Sequence, residues 1–159
     1  MPVKRPGAII GIGQLGGVFA RAFLHAGHPV YPVTRGMDIN AALNDVPGRL
    51  LTLLAVTEKD LPDVLTHLSP DHYHALGLLQ NELLPEAWIS RRIPAPTVIS
   101  VWFEKKKGME VNALRPSPVF GPQAALVAAA LVGIGLPCQR LANADDLLFE
   151  LVVKNVFVY

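Results

Sequence analysis

The chain is poor in cysteine, and this limits how it can be stabilised. Its 159 residues contain one cysteine, Cys138, so no internal disulfide can form. No histidine or other cysteine lies near Cys138 at a metal-ligand spacing, so we expect no metal site. Cys138 is most simply a small apolar side chain. The sequence therefore excludes a disulfide framework.

Charged residues are also scarce, at 17% of the chain, and they nearly balance to a net charge of +1. No basic stripe suits a phosphate backbone, so we expect no nucleic-acid partner. The one dense charge run, the three lysines at 105–107, lies between two strand-like segments. Such a short run predicts a solvated hairpin turn.

A long hydrophobic run is lacking as well. The longest apolar stretch, 124–136, is shorter than the roughly 18 to 20 residues that a membrane span needs, so no membrane partner is expected. The N-terminus resembles a signal peptide, with Lys4 and Arg5 before an apolar run. Gly11 and Gly13 interrupt that run before any cleavage site. We therefore predict a cytoplasmic protein.

Hydrophobic residues are abundant, at 51% of the chain, which is enough for one well-cored domain over residues 1–159. Short continuous apolar runs predict parallel strands that are covered on both faces. They lie at 7–11, 29–34, 50–56, 76–80 and 97–103. Between the first two runs, apolar residues recur at helical spacing from Leu15 to Ala26, which completes a βαβ unit by Arg35. The pattern predicts an α/β fold with a mostly parallel sheet and helices on both faces.

The last third of the chain predicts a hairpin and two helices. A turn at 104–108 and a returning strand at 109–115 indicate an antiparallel hairpin at the edge of the sheet. Helical patterns follow at about 123–134 and about 145–159, with a short strand at 138–141 between them.

The terminal helix, about 145–159, has almost no polar face, so it should be buried on every side. One side can pack on the sheet. We expect the other side to pack against a second copy, giving a homodimer. The alternative is that its last residues fray and the protein stays monomeric.

The segment 11–16 reads Gly-Ile-Gly-Gln-Leu-Gly and joins the first predicted strand to the first helix. A GxGxxG sequence in a βαβ unit is typical of dinucleotide binding in a Rossmann-like fold. Gly11 permits a tight turn, Gly13 lets the backbone approach a pyrophosphate, and Gly16 lets helix and strand pack closely. The helix start at Gln14 and Leu15 offers N–H groups to that pyrophosphate. The alternative is a glycine turn with a purely structural role.

The end of the second predicted strand bears on the choice of dinucleotide. An NAD site usually has Asp or Glu there, about 20 residues after the glycine loop, to accept hydrogen bonds from the ribose. This chain has Thr34 and Arg35 at that place. A guanidinium cannot accept those bonds but matches a 2′-phosphate, which favours NADP(H) as the cofactor. The alternative is that Arg35 is an ordinary exposed loop residue.

Together with the glycine loop and Arg35, two further runs resemble the ketopantoate reductase family (2-dehydropantoate 2-reductases). They are Ala-Val-Thr-Glu-Lys at 55–59 and Leu-Gln-Asn at 79–81, and the order and spacing agree over almost the whole chain. The resemblance implies reduction of a 2-oxo acid, with Lys59 and Asn81 near the nicotinamide and the substrate. Glu82 stands where the family has glycine. Without the resemblance, these would be a surface lysine and a turn asparagine.

The segment 149–155 resembles the family's Trp-x-Lys-x-x-x-Asn pattern, whose lysine donates the proton. Phe149 fits the tryptophan and Asn155 the asparagine, but Leu151 occupies the lysine position and cannot donate a proton. Lys154 lies one turn further and about 60° around the helix. It is therefore predicted to extend along the surface. The alternative is that Lys154 supplies the proton.

The resemblance also implies that the terminal helix would lead into a helical domain, which is absent from these 159 residues. The remaining sequence predicts an NADP(H)-binding half-site of an oxidoreductase, with its catalytic activity left open. The alternative is a non-catalytic NADP(H)-binding regulatory or partner module. A Rossmann-like scaffold without a nucleotide is disfavoured because the glycine loop is intact.

Overall fold

The computed structural model describes residues 4–80 and 85–158, apart from the side chains of residues 80, 157 and 158. The strands in this part of the chain are β1 (Gly7–Ile10), β2 (Val30–Val33), β3 (Leu51–Leu54), β4 (Leu76–Gln80), β5 (Thr97–Ser100), β6 (Phe103–Glu104), β7 (Asn112–Ala113), β8 (Ser117–Phe120) and β9 (Cys138–Arg140). The helices are α1 (Gln14–His25), α2 (Ile39–Asn44), α3 (Leu61–His67), α4 (Glu86–Ile89), α5 (Ala124–Gly133) and α6 (Ala144–Val158), with a 3₁₀ turn at Pro70–His72.

Seven of these strands form one sheet in the order β2-β1-β3-β4-β5-β8-β9. Every neighbouring pair is parallel except β5 and β8, which run antiparallel. The strands β1, β3 and β5 are buried along their whole length. This confirms the prediction from their continuous apolar runs, because a parallel sheet is covered on both faces.

Alternate side chains of the strands enter two core layers, one on each face of the sheet. Ile9 faces α1 and α5, and the layer on that side includes Phe19 and Leu131. Ala8 and Ile10 face the layer that α2, α3, α4 and α6 complete. The fold is therefore an α/β sandwich with helices on both faces, as predicted.

The predicted hairpin is present, but it does not form the edge of the main sheet. The strands β6 and β7 pair with each other as a separate two-stranded sheet. The predicted strand 97–103 is interrupted after Ser100, and β8 takes the place beside β5. The sequence pattern missed β8 because it contains Pro118, and proline argues against a central strand.

The terminal helix α6 packs on β5 and β8 through Leu147, Leu151 and Lys154. Lys154 is only 5% exposed, so the prediction that it extends along the surface is wrong. Its spacing from Leu147 and Leu151 explains this, because positions i, i+4 and i+7 share one helix face. The opposite face of α6 is exposed and carries the apolar side chains of Leu148, Phe149, Val152 and Val156, with Asp145 at its start.

No helix in the described ranges combines the length and the apolar character that crossing a membrane requires.

Candidate functional site

The carboxyl ends of the parallel strands bring the predicted site residues to one edge of the sheet. The glycine loop follows β1, Thr34 and Arg35 follow β2, and Lys59 lies in the segment after β3. In open α/β sheets, ligands bind at this edge, where the loops leave the strands.

Two of the three motif glycines are required by the fold itself. Gly11 has a φ of +92°, and a Cβ atom there would lie 2.8 Å from the carbonyl oxygen of Ala55. A Cβ atom on Gly16 would collide with the carbonyl oxygen of Gly11. Any side chain at either position would push the loop away from β3 or from α1.

Gly13 differs from the other two, because a Cβ atom there would meet no atom of the chain within 4 Å. Its φ of −95° is open to any residue. Packing within the chain therefore gives no reason for glycine at this position. The open space in front of Gly13 fits the predicted approach of a ligand.

The start of α1 is left without a cap. Gly13 is the N-cap residue, no side chain bonds the first turn, and that turn contains no acidic residue. The first N–H groups of a helix have no partner within it and carry a partial positive charge. Gln14 is exposed, while Leu15 packs against the core layer of α1. The loop thus presents free N–H donors and positive potential, which suit an anion.

A cavity of about 720 Å³ opens at the same edge. It is lined by the ends of the first three strands and the segments that follow them, among them Gly11, Gly13, Thr34, Arg35 and Thr57. The structure therefore brings part of the glycine loop together with both residues predicted at the end of β2. Its size is in the range of small-molecule sites.

Arg35 is almost fully exposed, and its Nη2 atom lies 3.5 Å from Oδ2 of Asp60. Asp60 and Asp63 also line the cavity. The backbone N–H and the hydroxyl of Thr34 each donate to the sulfur of Met37 at 3.3 Å. Asp60 was not predicted from the sequence, and it places a carboxylate beside the arginine although none follows β2 directly.

The two predicted catalytic residues that the structure describes, Lys59 and Asn155, do not line this cavity. Lys59 is exposed and is not among its lining residues. Asn155, on α6, donates from Nδ2 to the carbonyl oxygen of Leu151 at 2.9 Å, so its amide is bound to its own helix. Asn81 lies outside the described residues. Leu151 is 1% exposed and belongs to the core.

Lys154 occupies an environment that suits proton transfer. Its Nζ lies 4.6 Å from the centroid of the Trp102 ring, two residues beyond the carboxyl end of β5. Burial lowers the pKa of Lys154 to about 8, and the charge of Glu58, in the segment after β3, opposes that shift. An amine with such a pKa carries a proton at neutral pH and can release it. The shared helix face with Leu147 and Leu151 was the sequence signal for this burial.

Some buried side-chain polar atoms lack hydrogen-bond partners, one of them on the Trp102 ring that Lys154 contacts. In the part of the chain that the structure covers, they are the buried atoms Ser100 Oγ, Trp102 Nε1 and Glu150 Oε2. The guanidinium of Arg115 lies 4.8 Å from the centroid of the Trp102 ring and 3.8 Å from Oε2 of Glu150. Buried polar atoms are normally hydrogen-bonded, so this cluster is an unusual part of the interior.

Lys105, the first residue after β6, also departs from the expectation of a solvated turn. It is half-buried, and its Nζ donates to Oε1 of Gln14 at 3.4 Å. Lys106 and Lys107 are exposed, as predicted.

Within the described ranges, no group of three or more His, Cys, Asp or Glu side chains is placed to hold a metal ion.

No family model matches the chain, and no curated protein matches its sequence. Solved structures match the fold. A protein described as an f420-dependent NADP-reductase from Arthrobacter sp. FB24 has a TM-score of 0.65 at 18% identity, covering 98% of this chain and 92% of that one. The 2-dehydropantoate 2-reductase from Methylococcus capsulatus has a TM-score of 0.64 at 16% identity, covering 94% and 61%. A ketopantoate reductase from Ralstonia eutropha JMP134 has a TM-score of 0.53 at 20% identity, covering 91% and 59%.

The chain thus spans about three fifths of the length of these two ketopantoate reductases. At such low identity the likeness establishes a Rossmann-like fold, which ketopantoate reductases share with other oxidoreductases. It agrees with the predicted resemblance in architecture.

Proposed function

We propose that this protein binds NADP(H) at the carboxyl edge of its sheet and uses it to reduce a 2-oxo acid such as 2-dehydropantoate. The observation that carries the binding proposal is the uncapped start of α1 behind Gly13, which faces open space. Free N–H groups at a helix start are the usual partners of a dinucleotide pyrophosphate. The Rossmann-like fold of oxidoreductases supports the same assignment.

Neighbouring groups of residues at the carboxyl edge of the sheet would hold neighbouring parts of the dinucleotide. Gly11, Gly13 and Gly16 would shape the loop, and the N–H groups of Gln14 and Leu15 would hold the pyrophosphate. The adenosine half would occupy the 720 Å³ cavity, which Thr34 and Arg35 line. Arg35 is almost fully exposed, and its guanidinium would exchange the carboxylate of Asp60 for a 2′-phosphate. This arrangement favours NADP(H) over NAD(H).

When bound, the nicotinamide would supply a hydride to the carbonyl carbon of the substrate. The chain has to supply a proton to the carbonyl oxygen, and Lys154 is our candidate for that role. Its ammonium would give up a proton to the oxygen and regain one from water. Its lowered pKa and its contact with the Trp102 ring support this choice. Leu151, at the family's lysine position, cannot donate a proton.

The binding proposal can be tested by adding a charge in front of the helix without disturbing the fold. In Gly13→Asp the new side chain enters open space, and aspartate is a favourable N-cap residue, so α1 should become more stable. Its carboxylate would repel a pyrophosphate. We expect calorimetry to show NADPH binding by the natural protein and at least tenfold weaker binding by Gly13→Asp.

A matched control places the same charge at another helix start. Gln123 is the N-cap residue of α5 and also lacks a side-chain cap. Gln123→Asp should leave NADPH affinity unchanged. The proposal would be overturned if the natural protein bound no dinucleotide at millimolar concentration, or if the two variants behaved alike. Binding without turnover of any 2-oxo acid would instead indicate the non-catalytic binding module.

A further inference from the structure

The turn of the β6-β7 hairpin touches the glycine loop. Lys105 donates from its Nζ to Oε1 of Gln14 at 3.4 Å and to the carbonyl oxygen of Lys106 at 2.8 Å. Gln14 is the first residue of α1, directly after Gly13. A lysine that is distant in sequence therefore lies at the mouth of the dinucleotide loop.

Packing at the base of the hairpin keeps this lysine in place. Phe103, in β6, is buried and packs against Phe19 of α1 with ring centroids 5.8 Å apart. Val111, just before β7, packs against the same core layer. The hairpin is thus attached to the helix whose start it faces, and Lys105 lies two residues beyond Phe103.

The charges around Lys105 favour an anion between it and the helix. Both acceptors that the described residues provide for its ammonium are neutral oxygens. The start of α1 carries a partial positive charge and no acidic residue in its first turn. Two positive groups that face one space repel each other unless an anion lies between them, and a phosphate would accept hydrogen bonds from both.

We infer that Lys105 is a ligand of the dinucleotide diphosphate, which it holds against the start of α1 from the side of the hairpin. The inference rests on the proposed function, since it adds a residue to that site. In the bound state the ammonium would exchange the neutral oxygen of Gln14 for a phosphate oxygen. Because both dinucleotides contain the diphosphate, Lys105 should contribute equally to NADPH and NADH, whereas Arg35 should distinguish them.

Calorimetry on Lys105→Met tests this, because methionine keeps the length of the side chain and removes the charge. Lys107→Met is the matched control, since Lys107 is exposed in the same turn. The probes are NADPH, NADH, ADP-ribose, which has the diphosphate without the nicotinamide, and adenosine 2′-phosphate, which has no diphosphate. We expect Lys105→Met to bind the first three about tenfold more weakly and adenosine 2′-phosphate as the natural protein does. Lys105→Arg should restore most of the affinity.

The inference fails if Lys105→Met and Lys107→Met bind ADP-ribose equally well, or if Lys105→Met weakens adenosine 2′-phosphate as strongly as ADP-ribose. In either case the binding of NADPH to the natural protein would leave the proposed function intact. If the natural protein binds none of the four probes at millimolar concentration, both proposals fail together. Thermal melts of all variants check that each is folded.

Discussion

The ammonium of Lys154 lies 4.6 Å from the centroid of the Trp102 ring, so α6 holds a charge inside the protein while four of its apolar residues, Leu148, Phe149, Val152 and Val156, face outward. A helix usually shows the opposite arrangement. Burying a charge costs free energy unless strong partners compensate, and here the compensating groups are the ring of Trp102 and the charge of Glu58. A buried ammonium at this position is more readily explained by the proposed proton donation than by a contribution to folding stability.

The cost of burying Lys154 should be measurable. A pKa lowered from 10.5 to about 8 corresponds to about 3 kcal/mol against the charged form. We therefore expect Lys154→Met to be more stable than the natural protein at pH 7, by up to about 3 kcal/mol. Between pH 8 and 10.5 the folded chain releases the proton before the unfolded chain does, so this advantage should shrink as the pH rises. Urea unfolding at pH 7 and pH 9.5 measures both effects, and a destabilised Lys154→Met at pH 7 would contradict them.

Reduction of 2-dehydropantoate by this protein should be slow. Leu151 stands where the ketopantoate reductases that the sequence resembles have their proton-donating lysine. If Lys154 supplies the proton, the remaining rate should fall as the pH rises above about 8, where its ammonium is lost. Lys154→Met should lower that rate by roughly a hundredfold or more. Oxidation of NADPH, followed over the pH range, is the measurement. A fast rate that Lys154→Met leaves unchanged would assign the proton to another group, such as Lys59.

Arg35 and Asp60 should set the preference between the two cofactors. A charge-assisted bond to the 2′-phosphate predicts that NADPH binds about tenfold or more tightly than NADH, and that Arg35→Ala abolishes the difference. Because Asp60 lies 3.5 Å from the guanidinium, Asp60→Asn should strengthen NADPH binding and leave NADH binding little changed. Calorimetry with both cofactors decides, and equal affinities for the natural protein would remove the preference for NADP(H). Arg21→Ala, on the exposed face of α1, is the control.

The exposed apolar face of α6 should mediate a homodimer. Phe149 and Val156 are 66% and 68% exposed, and they share that face with Leu148 and Val152. Contiguous apolar surface of this kind is uncommon on a monomer. We expect light scattering at micromolar concentration to give twice the 17.2 kDa chain mass. Val152→Asp or Val156→Asp should dissociate the dimer, whereas Leu24→Asp, at an exposed site on α1, should not. A monomeric mass for the natural protein would exclude the dimer.

A buried pair at the opposite edge of the sheet should make stability depend on pH. Arg49 donates from Nη2 to Nδ1 of His72 at 2.8 Å, and both side chains are buried. Burial, followed by the charge of Arg49, lowers the pKa of His72, so the folded state binds the proton of this histidine less tightly than the unfolded state does. Its contribution to stability is full at pH 7.5 and is lost as the pH falls below about 6.5. His72→Gln should reduce the difference between urea midpoints at pH 7.5 and pH 5.5, while substitution of the exposed His25 by Gln should not.

Local sequence determined the first half of the fold. The continuous apolar runs of β1, β3 and β4 required burial on both faces, and the glycine loop required a turn that only Gly11 and Gly16 permit. These features depend on neighbouring residues, so they could be predicted from the sequence, together with the loop at which we propose that a dinucleotide binds.

Only the tertiary structure decided where the charged residues lie. Lys105 and Gln14 are 91 positions apart, and their contact depends on how Phe103 packs on α1. Lys154 is buried because β5, β8 and Trp102 cover one face of α6, although helix spacing alone marked that face. The pairing of β8 with β5 likewise overrides a proline that argues against a strand. Such contacts join segments that are distant along the chain, so local propensity carries no information about them.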